Sequence, residues 1–223
     1  MDRKVFEQKY RQRLEKLSTT NLSDALDKVG IQGAVIGSRP LFGKPKVIGS
    51  AVTIKITAAG TEKAKHHLGI EAIASAQKGD VIAIDNRGDI YNNCWGEILS
   101  CAAKMKGVSG VIIDGAARDV DVCEELEFPI FARGVVPITA RGRIMQEDFN
   151  CLIRLGDVQV RPSDILVGDI NGVVVIPPEK LEEVLTEAEK IMEKEERMKK
   201  DILDGLDILE VDKKYGYEQM LKR

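Results

Sequence analysis

A chain of 223 residues with 43% hydrophobic and 31% charged residues can bury a core as one large domain, here residues 1–223, and its composition is typical of globular proteins. With 33 basic and 36 acidic residues its net charge is -3, which argues against a nucleic-acid-binding surface, and four Tyr, five Phe and one Trp are too few for a base-stacking platform. No stretch approaches the roughly 18 apolar residues of a membrane span, and residues 1–7 contain no apolar signal core, so we expect a cytoplasmic protein.

The cysteines are widely spaced and form no Cys-x-x-Cys pair, which argues against a zinc site or a redox motif. We expect most of them to be buried small hydrophobic residues in a reducing compartment. Cys94 has no convincing base partner, so we do not expect a thiol nucleophile. The cysteines are Cys94, Cys101, Cys123 and Cys151.

The N-terminal region predicts two helices and an irregular connection. Apolar side chains recur every three or four residues in 3–17, which predicts an amphipathic N-terminal helix within 1–17. Cap residues at 18–21 precede a second short helix over 22–29, and glycines and prolines follow over 30–45. The apolar stripe of the first helix is Phe6, Tyr10, Leu14 and Leu17.

From residue 46 onward, predicted strands and helices alternate, which indicates a mostly parallel, layered α/β core. Between them, residues 86–95 are polar and rich in Asn and Gly, as expected of a loop that lines a site. The predicted strands are 46–57, 81–85, 111–114 and 129–132. The predicted helices are 61–77, 97–106 and 120–126.

After Gly134 the pattern changes to short β segments separated by Gly, Pro and Asp, which predicts antiparallel or mixed strands. A long helix is predicted over 179–204, and its second half, 193–200, is almost entirely charged. Such a run is ordinarily a solvated face, but it would also suit a helix that lends a carboxylate to a neighbouring subunit. The short β segments are 151–155, 157–160, 164–167 and 172–176.

Three charged residues stand where predicted helices begin beside predicted parallel strands. Glu97 begins one helix, and Arg118 and Asp119 precede the helix that follows the 111–114 strand. The carboxyl ends of parallel strands meet at one edge of a sheet, so these side chains can share a cleft. Arg118 offers a planar fork for a carboxylate, and Asp119, helped by Glu97, offers oxygen ligands for Mg²⁺ or Mn²⁺.

Backbone amides at the start of the 97–106 helix complete this hypothesis. The first N–H groups of a helix lack intrahelical acceptors and face outward. If Gly96, Ile98 and Leu99 present their amides to a carboxylate while Arg118 contacts it from the side, a small organic acid is bound without a basic patch.

Each of these charged residues also has a purely structural interpretation. Arg118 and Asp119 equally fit a helix N-cap aspartate beside an exposed arginine. Acids such as Glu97 and Asp121 are favoured in a first helical turn by the helix dipole alone. The dipeptide by itself therefore leaves both interpretations open.

Other polar residues are read first as structural. Asp85 and Asp114 end predicted strands, and we expect them to turn the chain rather than to lie near a metal. His66 and His67 are adjacent, so their side chains diverge and a shared metal is not expected. Trp95 fits either stacking on a ligand or packing in the core.

Seven segments resemble one known family, which includes the regulator of ribonuclease activity A and the 4-hydroxy-4-methyl-2-oxoglutarate and 4-carboxy-4-hydroxy-2-oxoadipate aldolases. The similarity covers residues 18–205, and its most specific element is an acid, then 20 residues, then Arg-Asp. The segments are 21–27, 49–53, 78–82, 95–99, 107–121, 128–134 and 168–177.

The resemblance implies an α/β fold, a layered swivelling β/β/α-type domain akin to phosphohistidine domains, with a long C-terminal helix over 178–205. It also implies that the terminal helices pack on the core or on a neighbouring subunit of a ring-shaped trimer or a hexamer. The implied activity is that of a divalent-metal-dependent pyruvate aldolase, with oxaloacetate decarboxylation as a side activity through the same enolate.

Carried over by residue, the resemblance implies that Asp119 ligates the metal and that Glu97 holds it through water. Arg118 and the amides around Ile98 and Leu99 would bind the pyruvoyl part of the substrate.

The resemblance also implies an acid from a neighbouring subunit's C-terminal helix, for which Glu195 is the best match and Glu196 the next. The chain departs from the family pattern at 161–164 and at 122–123. The regulatory branch often lacks the first acid, so Glu97 favours the enzymatic branch. The rival predictions are a non-catalytic protein-binding regulator of a ribonuclease and a related lyase acting on another 2-oxo acid.

Overall fold

The computed structural model describes residues 3–62 and 66–216. Its N-terminal region is helical, as predicted, but the middle of the first helix is π-helical. The second helix begins earlier than predicted because Ser18 and Asn21 form a reciprocal capping box at its start. The segments are α1 (Arg3–Val5), the π-helical Phe6–Tyr10, α2 (Arg11–Lys16) and α3 (Thr19–Lys28).

A large mixed sheet forms the centre of the molecule, with the strand order β1-β12-β11-β3-β4-β5-β6-β2. Strands β3 to β6 are parallel, whereas β11, β12, β1 and β2 join antiparallel. The strands are β1 (Ala34–Val35), β2 (Arg39–Pro40), β3 (Val47–Ala58), β4 (Val81–Asn93), β5 (Gly110–Ala117), β6 (Ile130–Ala132), β7 (Gly134–Val135), β8 (Ile144–Phe149), β9 (Ile153–Leu155), β10 (Val158–Val160), β11 (Ile165–Asp169) and β12 (Gly172–Ile176).

The predicted parallel pairing is therefore correct for β3 to β6, and the antiparallel or mixed strands predicted after Gly134 are confirmed by β11 and β12. Strands β7 and β8 attach to β5 and β3, and β9 and β10 form a separate antiparallel ribbon. The predicted α/β class and the long C-terminal helix are confirmed, and the likeness to phosphohistidine domains stays a prediction.

The remaining helices agree with the prediction except in two places, the segment before α4 (Ile70–Ser75) and the helix α8 (Ile208–Tyr215), which was not predicted. The helix predicted over 61–77 is too long, because the described chain there is helical only from Ile70 to Ser75, after Gly69 in a left-handed conformation. Residues 63–65 of that prediction lie outside the described residues. The helices are α4 (Ile70–Ser75), α5 (Glu97–Lys106), α6 (Val120–Glu125), α7 (Leu181–Leu203) after a 3₁₀ turn at Pro178–Lys180, and α8 (Ile208–Tyr215).

The polar stretch predicted as a loop is instead the second half of β4. Along it Asp85 pairs with Asp114, Asp89 with Gly115, and Asn93 with the next residue of β5. Strand β4 therefore uses four residues for each single step along β5, and the surplus bulges out of the ladder. These bulges bring the end of β4 level with the end of β5.

Buried side chains fill both faces of the sheet. Helices α4, α5 and α6 cover one face, where Ile84 and Ile113 are buried. The β9–β10 ribbon covers the other face, where Ile112 and Leu155 are buried. Successive residues of a strand point to opposite faces, which explains why adjacent residues of β5 belong to different cores.

The terminal helices enclose a third core against β11 and β12. Helix α7 packs on α3 through an apolar stripe of its first half, while Arg13 pairs with Glu182 and Glu189 across the helices. The buried members of that stripe are Leu181, Val184, Leu185, Ala188 and Ile191. Among the described helices, none combines the length and the apolar character needed to cross a bilayer.

Candidate active site

The starts of α5 and α6 lie side by side, as the sequence predicts. The Arg118 amide donates to the Trp95 carbonyl at 3.0 Å, and the Cys94 amide donates to the Ala116 carbonyl at 3.1 Å. These bonds continue the parallel pairing of β4 and β5 beyond the regular ladder. The Gly-Glu and Arg-Asp pairs are therefore delivered to one edge of the sheet.

Asp119 is the centre of this arrangement. Its Oδ2 accepts hydrogen bonds from the Glu97 amide and from the Arg118 Nε, both at 3.2 Å. Asp119 occupies the N-cap of α6 in a left-handed conformation (φ 55°) but forms no side-chain cap there. The interpretation of Asp119 as the cap of its own helix is thus wrong, because its carboxylate caps α5 instead.

Gly96 is required by this geometry. A Cβ at this position would lie 2.5 Å from Asp119 Oδ2 and 3.3 Å from Arg118 Cγ. Its φ of -159° is accessible to any residue, so the restriction is steric rather than conformational. Sequence reasoning treated Gly96 only as an amide donor and missed this role.

The first backbone amides of α5 fall into two groups, those that hydrogen-bond within the fold and those that could bind a ligand. The Glu97 amide is occupied by Asp119, and the Ser100 amide bonds to the Gly96 carbonyl at 3.0 Å. Within the described part of the chain, no acceptor is found for the amides of Ile98 and Leu99, as expected for the first turn of a helix. These two N–H groups remain available to an anion.

A cavity of about 610 Å³ adjoins these groups. One end contains the charged residues Glu97, Arg118 and Asp119, and Arg141 and His67 contribute at other points. Sequence reasoning missed the contribution of 139–141, because no motif marks this irregular segment. The apolar lining includes Leu68, Ile70, Ile73, Ala74, Ile98, Leu99, Ala102 and Ala140.

The donor set fits a hard divalent cation that retains water. Among the residues described, no group of three or more His, Cys, Asp or Glu side chains is arranged to hold a metal. Asp119 and Glu97 nevertheless line the same cavity, and Asp119 Oδ1 has no hydrogen-bond partner in the described structure. Mg²⁺ is commonly bound through one or two carboxylates plus waters and substrate oxygens, so two acids suffice.

Trp95 packs in the core and supports the site from behind. Its ring stacks on Phe128 with centroids 6.3 Å apart, and its Nε1 donates to Ser100 Oγ at 2.9 Å. The Ser100 hydroxyl also lies 3.3 Å from Cys123 Sγ. Burial raises the pKa of the Cys94 and Cys123 thiols, which disfavours the reactive thiolate at both positions.

Glu195 lies away from the cavity of its own chain. Its Oε2 accepts a hydrogen bond from Asn21 Nδ2 at 2.8 Å, on the surface where α7 meets α3. Burial, followed by the charge of Glu195, raises the pKa of Asp24 nearby. The predicted role of Glu195, or of Glu196, in a neighbouring subunit's site stays a prediction.

The remaining polar candidates have structural partners. Asp85 was predicted to end a strand and turn the chain, but it lies within β4, opposite Asp114, and its carboxylate accepts the Arg87 amide at 3.0 Å. Asp114 was predicted to end its strand, but it lies within β5 and pairs with Arg133. His66 lies 3.8 Å from a carboxylate oxygen of Glu71.

Comparison with known proteins adds to this geometry. A model of the RraA-like family, described as Aldolase/RraA, matches residues 19–175, which is more than half of the chain. The chain belongs to the RraA-like family. The resemblance noted in the sequence is thereby confirmed.

Individual relatives carry different names. This RraA-like chain is 33% identical over 208 residues to Protein DlpA of Legionella pneumophila. The match covers 93% of the chain but only 34% of DlpA, so the chain spans about a third of that relative. It is 36% identical over 190 residues to a protein of Halalkalibacterium halodurans named "Putative 4-hydroxy-4-methyl-2-oxoglutarate aldolase", covering 85% of the chain and 87% of the relative.

A solved structure extends the comparison to the regulators. Streptomyces coelicolor RraAS2, described as an unusual member of the RNase ES inhibitor RraA protein family, matches this RraA-like chain with a TM-score of 0.79 and 25% identity. The match covers 89% of the chain and 97% of RraAS2. The family thus includes members named for enzymatic and for regulatory activities.

Proposed function

We propose that this chain is a divalent-metal-dependent lyase that cleaves 4-hydroxy-2-oxo acids, such as 4-hydroxy-4-methyl-2-oxoglutarate, to pyruvate and a second oxo compound. The observation that carries the proposal is the convergence of Arg118, Asp119 and two α5 amides, which have no acceptor among the described residues, on one end of a 610 Å³ cavity. The names of relatives such as the Halalkalibacterium halodurans protein support the same reaction class.

Binding of the pyruvoyl half uses Arg118 and the start of α5. The guanidinium of Arg118 and the amides of Ile98 and Leu99 donate hydrogen bonds to the substrate carboxylate and the 2-oxo oxygen. Asp119 and Glu97 would hold Mg²⁺ or Mn²⁺, with Asp119 as the direct ligand and Glu97 acting through water. A bound cation would supply Lewis acidity to the 2-oxo group.

Cleavage begins with loss of the C4-hydroxyl proton. Glu97 is exposed in the cavity and has no ion pair among the described residues, so it can accept this proton through an ordered water and later return it to C3. The C3–C4 bond then breaks, its electron pair forms the enolate of pyruvate, and C4 becomes a carbonyl carbon. Arg118 stabilises the negative charge that develops on the enolate oxygen, and protonation at C3 gives pyruvate.

A neighbouring subunit would complete the site. In this proposal the chain assembles as a trimer or hexamer, and Glu195, or Glu196, of an adjacent chain's α7 joins Glu97 in orienting water. Decarboxylation of oxaloacetate passes through the same enolate, so it is the expected side activity.

The test is pyruvate release from 4-hydroxy-4-methyl-2-oxoglutarate and from oxaloacetate, with Mg²⁺ or Mn²⁺ and with a chelator. Turnover should require the metal and should fall at least a hundredfold in Arg118→Ala and Asp119→Ala, since each removes a charged group at the reacting centre. Turnover that persists in both variants or in the chelator would disprove the assignment.

The rival function is that of a protein-binding regulator of a ribonuclease, which the description of RraAS2 favours. The same preparation should then bind a ribonuclease of that class and reduce its cleavage rate, without pyruvate release or metal binding. Glu97 and Asp119 would be dispensable for such inhibition, which separates the two functions.

A further inference from the structure

A second cleft, of about 330 Å³, opens on the other face of the sheet. Asp114, which lines this cleft, follows Ile112 and Ile113 in β5. Ile113 faces the core below α4 to α6, and Ile112 faces the β9–β10 ribbon. Strand alternation therefore places the Asp114 side chain on the ribbon side. None of the residues that line this cleft lines the 610 Å³ cavity.

Arg133 forms the floor of the cleft in a fixed position. Its Nε donates to the carboxylate of Asp114, which is only 2% exposed. A Cβ at Gly37 would lie 2.4 Å from Nη1 of Arg133, and one at Gly156 would lie 3.3 Å from Nη2. Both glycines have positive φ, so the backbone is shaped around the guanidinium. Across the described residues, no acceptor is found for the two terminal nitrogens of Arg133.

One buried acid fixes the backbone of two further arginines at the rim. The carboxylate of Asp85, which is 6% exposed, accepts the Arg87 amide at 3.0 Å and the Arg154 amide at 3.3 Å. Both arginine side chains line the cleft, and neither forms an ion pair within the described ranges. The segments that carry them, in β4 and β9, are thereby brought to one opening.

The charges of the cleft favour an anion. Asp114 neutralises Arg133, which leaves Arg87 and Arg154 facing Asp157 as the remaining lining charge. The lining side chains therefore carry one excess positive charge, the buried Asp85 carboxylate behind the rim accepts the Arg87 and Arg154 amides, and among the described residues no acceptor is found for the terminal nitrogens of Arg133. Guanidinium groups pair with phosphate and carboxylate through parallel hydrogen bonds, and a multiply charged ligand can engage more than one of them.

We propose that this cleft binds a small, multiply charged oxyanion bearing phosphoryl or carboxylate groups. The site is separate from the proposed aldolase site and does not depend on that reaction. Its volume accommodates an anion the size of pyrophosphate or citrate, with the Arg133 guanidinium at the base and the side chains of Arg87 and Arg154 at the sides.

The test is isothermal titration of the full chain with inorganic pyrophosphate and with citrate, without divalent metal and at constant ionic strength. We expect saturable 1:1 binding of at least one anion, weakened at least tenfold in the double variant Arg87→Ala/Arg154→Ala. Arg197→Ala/Lys199→Ala is the matched control for the double variant, because it removes two positive charges from exposed positions of α7 outside the cleft, and Arg197→Ala is the control for single variants.

Tighter binding of pyrophosphate assigns a phosphoryl ligand, and tighter binding of citrate assigns a polycarboxylate. Arg154→Gln, at an exposed strand position, provides a second variant and should also weaken binding. The proposal is overturned if neither anion binds, or if the cleft variants and their α7 controls bind with equal affinity.

Discussion

The carboxylate of Asp119 accepts a hydrogen bond at 3.2 Å from the backbone amide of Glu97, 22 residues earlier in the chain. Asp119 thus caps a helix to which it does not belong, and it does so with the same Oδ2 that Arg118 Nε contacts. One carboxylate thereby fixes the start of α5 and orients the arginine, while its Oδ1 has no hydrogen-bond partner among the residues that the structure describes. The capping of α5 needs an oxygen acceptor at Asp119, whereas the proposed metal binding needs its negative charge. Mutation can therefore separate the two roles.

Asp119→Asn and Asp119→Ala should separate capping from catalysis. Asparagine retains an oxygen acceptor for the Glu97 amide, whereas alanine removes the cap and should destabilise the fold by about 0.5–2 kcal/mol more. Both variants lose the negative charge proposed to bind the metal, so both should lose metal-dependent pyruvate release. Urea unfolding and the pyruvate assay measure the two effects. Equal stability of the two variants would contradict the capping role.

Gly96→Ala should impair the site with little effect on the fold. The new Cβ would lie 2.5 Å from Asp119 Oδ2 and must displace the carboxylate. A displacement near 1 Å at a reacting centre lowers turnover by about 100-fold. Gly134→Ala is the control, because a Cβ there meets no atom within 4 Å. Steady-state pyruvate release compares the two, and similar turnover in both would refute the steric argument.

Arg118→Lys tests the need for a planar fork rather than a positive charge. Lysine keeps the charge but cannot form two parallel hydrogen bonds to a carboxylate. We expect kcat/KM for oxaloacetate to fall at least tenfold, a loss of about 1.4 kcal/mol in transition-state stabilisation. Arg197→Lys, on the exposed side of α7, should leave kcat/KM unchanged. A fully active lysine variant would exclude bidentate binding.

The Trp95–Ser100 hydrogen bond should stabilise the fold behind the site. Both residues are fully buried, so Ser100→Ala leaves the Trp95 Nε1 without its acceptor and should cost about 1–3 kcal/mol. In a Trp95→Phe background the same substitution leaves no orphaned donor and should cost less. Urea unfolding of the four proteins measures this coupling. Additive losses would show that the bond contributes nothing.

Asp169 should make the stability of the fold depend on pH in the acid range. Burial alone would raise its pKa, but hydrogen bonds from the Thr19 hydroxyl and amide, together with the Asn171 amide and the charge of Lys46, lower the pKa overall. A carboxyl with a lowered folded-state pKa stabilises the fold above its unfolded value, about 3.9, and loses this contribution as the pH falls further.

Asp169→Asn should therefore be less stable than the parent chain at pH 7, and the gap should narrow as the pH drops below about 4. Thermal unfolding from pH 7 to pH 3 follows this difference. A gap that stays constant over that range would show that ionisation of Asp169 does not contribute to stability.

Local patterns in the sequence predict most elements and the residues of the site. Helix α5 has its predicted bounds, from Glu97 to Lys106, because an acidic first turn, an apolar stripe and a left-handed Gly107 all act within the helix itself. Strand alternation likewise predicts the central parallel strands, and parallel strands bring Glu97, Arg118 and Asp119 to one edge. These conclusions need only interactions between residues close in sequence or in adjacent strands.

The tertiary structure determines those features that depend on contacts between residues far apart in the sequence. The strand pairing of the polar half of β4, the capping of α5 by Asp119 and the steric need for Gly96 all arise from contacts across about 20 residues or more. The same holds for the convergence of Arg87, Arg133 and Arg154, which belong to separate segments. Periodicity and propensity describe a residue's own segment, and they contain no information on which segment will pack against it. The sequence by itself therefore determined the family and the candidate site residues, whereas packing determined which atoms of those residues remain available to a ligand.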